Sequence, residues 1–284
     1  MRKYIRYNLH THSFYCGHGS GKLSEYRETA KELALELLGF SEHCPLPDRR
    51  FSKSRMDNSM MSVYEADSRS QDGPDLKILT GYECDWSPEY RNYYEELLSS
   101  GRVDYLITGT HFVPSPDGRF RSVFNPGLTA GDLVSYGRYV IGAIESGLFS
   151  FVAHPDLYMG SYRKWDGEAK ALAEDIIAAS KDYSVPLEVN GNGMLKPAVE
   201  GHYPYPSDPF WLLCRESDVH AVMNTDSHTT ASLGKSMKLL SEYEAGIPQH
   251  LVYPVWTGNK LTFEEAWHDF NKECRALCTR VSRS

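Results

Sequence analysis

No stretch of 18 residues in this chain is free of Asp, Glu, Lys and Arg, so no helix able to cross a bilayer is written in it and no membrane partner is expected. Positive charge is scarce: 30 Lys and Arg stand against 38 Asp and Glu, a formal net charge of −8. Duplex binding draws its affinity from clustered Lys and Arg, so no nucleic acid duplex is expected as partner, and any phosphate handled is expected to be small. Among the six cysteines (Cys16, Cys44, Cys84, Cys214, Cys274, Cys278) there is no C-x-x-C pair. That leaves out a zinc ribbon and a thioredoxin-like motif, and six free thiols are the expectation. No Pro/Gly/Ser-rich linker divides the 284 residues and no repeat recurs, so a single domain over 1–284 is expected. The opening MRKYIRYNLHTH has no apolar run of signal-peptide length, which makes the cytoplasm the expected location. What is present, 41% hydrophobic and 24% charged residues, is ordinary globular composition that can bury a sizeable core.

Short apolar runs recur at Tyr4–Leu9, Leu37–Phe40, Leu76–Gly81, Val103–Thr108, Phe149–Ala153, Val185–Val189 and His220–Asn224. Their length and bulk are those of buried parallel strands. Helical stretches are expected between them over Leu23–Leu38, Pro88–Ser100, Thr129–Ser146, Gly167–Asp182, Ser207–Ser217 and Thr262–Cys278. In the first, Tyr26, Ala30, Leu33, Leu37 and Leu38 share one face, Glu25, Glu28, Lys31 and Glu32 lie outside it, and Ser24 reads as the N-cap. Such alternation fits either an open doubly wound sheet or a closed parallel barrel. A polar residue closes every proposed strand: His10 and His12, His43, Glu83, His111, His154, Asn190, then Asp226 and His228. A barrel delivers all its strand ends to one mouth, so an α/β, TIM-like barrel of seven strands is the favoured fold.

Side chains two apart on a strand share a face, so His10 and His12 can reach one metal ion, and so can Asp226 and His228. A lone His-x-His is more often incidental, but two such pairs at opposite ends of the chain reinforce each other. Glu83 lies inside an apolar strand, where a buried carboxylate without a cation costs several kcal/mol or neutralises. His43, His111 and His154 each end an apolar run, and His18 sits in the Gly-rich loop after the first strand. A single histidine in such a place is commonly structural. Together they give seven histidines and two carboxylates, more than one zinc can use.

In order along the chain, HTHSFYCGHG, GFSEHCPLP, Glu83, GTHF, AHPDL, LEVNGNG and NTDSH resemble the motifs of the polymerase and histidinol phosphatase (PHP) family, most of all its histidinol-phosphate phosphatase branch, over roughly residues 6–235. The resemblance implies a distorted seven-stranded barrel and three divalent ions, Zn, Mn or Fe. His10, His12, Glu83 and Asp226 would hold one, Glu83 with His111 and His154 the second, and His18, His43 and His228 the third. Where many members follow His-x-His with Asp-Gly, this chain has Tyr15-Cys16-Gly17-His18, which favours histidine at the third position. Glu83, Asp226 and His228 would be the catalytic residues, and the reaction would be hydrolysis of a small phosphomonoester. Three such ions against two carboxylates leave roughly +4, which suits a phosphate monoester of about −1.5 to −2.

Phosphate oxygens not held by metal want Arg or Lys, and the loops after strands offer Arg163, Lys196 and Arg119 in that order of preference, with Arg121 and Lys164 beside them. Each is equally at home as a solvated cation. Asn190 reads as a substrate contact or a loop-shaping residue. His202 with Tyr203, Tyr205, Phe210 and Trp211 reads as a wall for an imidazole-bearing substrate, or as packing. Cys44 and Cys84, adjacent to ligand positions on strands, should point away from the metals. Asp156 and Glu42 are candidates to orient an imidazole from behind. Three other readings stay open: a PHP phosphoesterase for nucleotides or other small esters, an amidohydrolase-type hydrolase, which usually bridges with Lys or His where this chain has Glu83, and a non-catalytic metal-binding scaffold.

Overall fold

The computed structural model describes residues 5–115, 118–198, 201–243 and 250–265. Its elements run β1 (Tyr7–Asn8), α1 (Leu23–Glu32), β2 (Leu37–His43), α2 (Met61–Ser70), β3 (Lys77–Cys84), α3 (Arg91–Ser99), β4 (Tyr105–Thr108), β5 (Phe112–Pro114), β6 (Phe120–Ser122), α4 (Ala130–Ser146), α5 (Met159–Tyr162), α6 (Gly167–Tyr183), β7 (Leu187–Asn190), α7 (Asp208–Glu216), β8 (Ala221–Asn224), α8 (Thr230–Tyr243), β9 (Val252–Thr257) and β10 (Lys260–Glu265). β1, β2, β3 and β4 pair side by side in parallel, and β7 pairs in parallel with β8. Parallel bridges Thr108↔Val152, Val152↔Leu187 and Thr11↔Ser227 link the edges of these two groups. The result is an α/β fold whose parallel sheet curls, with the helices packed outside it.

The inside of the curl is filled by alternating large and small side chains. Tyr105 is buried and donates its hydroxyl to the carbonyl of Leu9 at 2.8 Å. Gly39 and Gly81 make room for it, since a Cβ at Gly81 would stand 2.6 Å from the Tyr105 ring. Above this floor two asparagines replace the ladder where the strands end. Leu9 N–H donates to Asn224 Oδ1 at 2.7 Å, and Thr225 N–H donates to Asn8 Oδ1 at 2.7 Å. Both asparagines are fully buried, and they fix β1 against β8 at the level where the histidines begin.

Several expectations are corrected. Helix α1 ends at Glu32 and not at Leu38, because Ala34 takes a left-handed φ of 56° and Leu37 and Leu38 pair with Tyr7 and Asn8 as strand. Ser24 is not its cap: the helix begins at Leu23, and the Glu25 carboxylate accepts from the Lys22 N–H at 2.6 Å. The run Phe149–Ala153 is reduced to bridges at Val152, since the chain turns away at His154 with φ 32°. In place of the start of a helix at Thr262 the chain forms β10, paired antiparallel to β9 across Gly258–Asn259, both with positive φ. The rest of that expected helix, with Cys274 and Cys278, lies outside the described residues. Among the described residues no helix is long and apolar enough to cross a membrane.

Candidate metal centre

Strand register brings the polar strand ends together. His43 stands opposite Glu83 in the β2–β3 ladder, and the Thr11↔Ser227 bridge sets His10 and His12 beside Asp226 and His228. His10, His12, His43, Glu83, His111, His154 and Asp226 are buried, His228 is half-buried and His18 is exposed. Asp226 and His154 both adopt left-handed φ values, 48° and 32°. Such strain in non-glycine residues persists where the surroundings over-determine it, and it clusters at functional sites.

Four side-chain atoms converge at the centre. His10 Nε2 and His12 Nε2 are 3.0 Å apart, and each lies 3.4–3.6 Å from both Glu83 Oε2 and Asp226 Oδ1. A tetrahedral ion with bonds of about 2.1 Å spaces its ligand atoms by about 3.4 Å, so this donor set fits a divalent metal. Glu83 Oε1 faces the other way, 3.2 Å from His111 Nε2 and 2.9 Å from His154 Nε2. His18, His43 and His228 gather as rings with centroids 4.9–5.9 Å apart. The ligating atoms of His12, His43 and His228 lie within 4.8 Å of one another, as do those of Cys16, His18 and His228. A glycine completes the chamber: a Cβ at Gly109 would fall on Glu83 Oε1 and stand 2.8 Å from His154 Cε1 and 2.9 Å from His111 Cε1.

Two buried carboxylates that sequence reasoning missed hold imidazoles from behind. Glu188 Oε1 lies 2.8 Å from His10 Nδ1, while its Oε2 accepts from the His154 N–H and from Asn190 Nδ2. Asp85 lies 3.0 Å from His111 Nδ1 and accepts the His111 backbone N–H at 2.8 Å. The sequence carried a signal for each. Glu188 sits inside the apolar LEVN strand as Glu83 does in its own, and Asp85 lies two residues beyond Glu83. The residues expected in this role sit elsewhere: Glu42 accepts from Ser13, and Asp156 accepts from the Ser207 N–H.

The imidazoles divide by charge. Burial opposes a proton on His10, but Glu188, Asp226 and Glu83 outweigh it and hold its pKa well above 6.5. His12 is raised against burial by Asp226 and Glu83, and His111 is lifted against burial to about 10 by Glu83 and Asp85. Burial and His12 push His43 well down and bring His228 to about 3, while His18 is lowered first by burial. Burial favours neutral Glu83 and Asp226, yet the imidazoles hold both well below the carboxylate range. The chamber wants cations. Protons supply them on His10, His12 and His111, positions where a divalent ion, if bound, would displace protons.

The other expected site residues are placed as follows. Asn190 is in the cluster, its Nδ2 donating to Glu188 and to Asp226 and its Oδ1 accepting from the Asn192 and Gly193 N–H groups. Asn192 also donates to Asp226. Arg163 is exposed and donates Nε to the Gly160 carbonyl, Lys196 is exposed, and Arg119 lies in the β5–β6 turn. His202 pairs with Asp208 at the surface, 2.8 Å away. Phe210 and Trp211 are buried packing, whereas Tyr205 brings its ring to 6.2 Å from His154. Cys16, Cys44, Cys84 and Cys214 are free, buried thiols. Sequence reasoning also missed Phe124, half exposed, whose ring lies nearly parallel to that of His111 with centroids 5.7 Å apart.

The profile of the PHP domain family matches residues 8–192. A Deinococcus radiodurans protein named probable histidinol-phosphatase is 26% identical over 232 residues, 79% of this chain and 87% of that protein. A solved structure from Listeria monocytogenes superimposes with a TM-score of 0.68 at 22% identity, over 84% of this chain and 99% of that one. The histidinol phosphate phosphatase of Lactococcus lactis, solved with zinc, L-histidinol and phosphate, gives a TM-score of 0.64 at 15% identity, over 91% and 99%.

Proposed function

The chain belongs to the PHP domain family, and on that premise we propose that it is a metal-dependent phosphomonoesterase converting L-histidinol phosphate and water to L-histidinol and phosphate. Glu83 carries the reading. Its two oxygens face five imidazoles, His111 and His154 from one side and His10, His12 and His43 from the other, as a carboxylate shared by two cations would. His10, His12, Glu83 and Asp226 would hold one ion, Glu83, His111 and His154 a second, and His18, His43 and His228 a third. Zinc is supported by the Lactococcus protein, and manganese and iron suit the same mixed donors. Bound there, divalent ions supply Lewis-acid charge to phosphoryl oxygens and lower the pKa of a water toward about 7.

The protein's own groups set the rest. Glu188 joins Glu83 and Asp226, while Asp85 is neutralised by the buried Arg55 guanidinium, so three divalent ions leave roughly +3, closer to the charge of one phosphate monoester than the sequence estimate of +4. His228, kept neutral, presents a lone pair, and Asn190 with Asn192 aims Asp226. With its Nδ2 committed, Asn190 serves positioning in this reading. Arg163 at the end of α5, Lys196 after β7 and Arg119 between β5 and β6 are the candidates for phosphate oxygens, and Phe124 offers a flat apolar face to an imidazole ring. His202, tied to Asp208, has no part in it. The parallel bridges through Thr11, Val152 and Leu187 support closure of seven staves into a single barrel domain.

Phosphate release by the zinc-loaded protein tests this. A kcat/KM for L-histidinol phosphate at or above about 10⁴ M⁻¹s⁻¹, well clear of a panel of small phosphomonoesters, is expected. Equal rates across the panel would leave a general phosphoesterase, and no metal-dependent release from any ester would overturn the reading.

A further inference from the structure

Arg55 lies in the loop between β2 and α2, and its side chain is 2% exposed. A buried guanidinium is costly unless an anion is fixed against it. That anion is Asp85, whose Oδ2 accepts from Arg55 Nη2. Asp85 in turn takes the His111 backbone N–H at 2.8 Å and His111 Nδ1 at 3.0 Å, and His111 Nε2 stands 3.2 Å from Glu83 Oε1. One chain of contacts therefore runs from a buried cation to the centre of the histidine cluster. Its effect on His111 is specific. With Nδ1–H committed to Asp85, Nε2 is the nitrogen turned to the Glu83 side, and its proton is the one a metal ion would displace to use the lone pair there.

Among the described residues no other imidazole of the cluster is anchored this way. Glu188, behind His10, takes its remaining hydrogen bonds from the His154 backbone and Asn190, both neutral donors. His12 Nδ1 and His154 Nδ1 have no hydrogen-bond partner among the described residues. Arg55 Nε and Nη1 are also buried without a partner there, so the guanidinium acts through the single nitrogen on Asp85. We infer that Arg55 is a positioning residue for the metal position formed by Glu83, His111 and His154, acting through Asp85 to hold the His111 ring and its tautomer. The inference rests on the reading that these residues hold a metal ion.

The test uses the whole 284-residue chain, zinc as probe, and the variants R55M, R55K and D85N. Zinc affinities come from competition with a chromophoric chelator, stoichiometry from elemental analysis, and folding from circular dichroism. R55M should keep the fold and lose about 10- to 100-fold in affinity for one zinc equivalent, leaving the others unchanged, with turnover recovering in excess zinc. D85N should weaken the same equivalent. R55K should stay close to wild type, because one nitrogen suffices. A fall in thermal stability with every zinc affinity intact, in R55M or, where that variant does not fold, in D85N, would reduce Arg55 to a structural ion pair and overturn the inference. Wild-type protein that takes up no zinc would instead overturn the metal reading beneath it.

Discussion

Glu83 can receive imidazoles on both its oxygens because position 109 carries nothing larger than a hydrogen. Gly109 is not among the residues with left-handed φ, so alanine there meets no backbone penalty and acts only through its methyl group. Gly109→Ala should therefore separate Glu83 from His111 and His154, and a displacement of about 1 Å can cost on the order of 100-fold in turnover. Steady-state kinetics with a zinc titration check this, and wild-type kcat/KM in that variant would contradict it. At this scale the sequence was informative wherever a polar residue closed an apolar run, and all nine such positions converge. The same logic, applied evenly, would have found Glu188 and Asp85. Arg55 had no signal, because nothing in FSKSRMDN marks one arginine as buried. The loop cations stay undetermined by pattern for the opposite reason: an exposed Arg163 or Lys196 looks the same whether it awaits phosphate or only water.

Strands β1 to β4, β7 and β8 were legible because each is a short apolar run bounded by helical patterning, and burial on both faces leaves little else for such a run to do. Boundaries were less so. Leu37 and Leu38 continue the helical stripe of α1, yet pairing with neighbours on both sides takes them into β2, a tertiary override of local pattern. Two hairpins went unread although their turns were written. Gly118, with positive φ, lies between β5 and β6, and Gly258-Asn259 between β9 and β10. The first lies beside the cluster: that hairpin follows directly on His111, and the ring of Phe124 after it stands against the His111 ring.

At the scale of the whole molecule, the cluster couples stability to pH. His10, His12 and His111 have raised pKa values, so their contribution is fully present below the unfolded value of 6.5 and is lost as pH rises, for His111 through about 10. His18, His43 and His228 are lowered, so the unfolded chain binds protons that the native one refuses and stability falls as pH drops below 6.5, for His228 towards about 3. Chelator-treated protein should thus unfold at its highest temperature near pH 6.5, with both flanks falling. Zinc should flatten the alkaline flank by replacing the protons on His10, His12 and His111. Calorimetry across pH 5 to 9 reads this, and a metal-free protein whose stability climbs steadily from pH 6 to 9 would contradict the assigned charge states.

Strand ends far apart in sequence meet around Glu83, and the proposed function makes that meeting point one multinuclear centre. Anomalous scattering at the zinc edge, from crystals of the zinc-loaded protein, tests it most directly. Three peaks are expected within the chamber, the two flanking Glu83 separated by roughly 3.5–4 Å. A single peak, or peaks that do not touch Glu83, would contradict it.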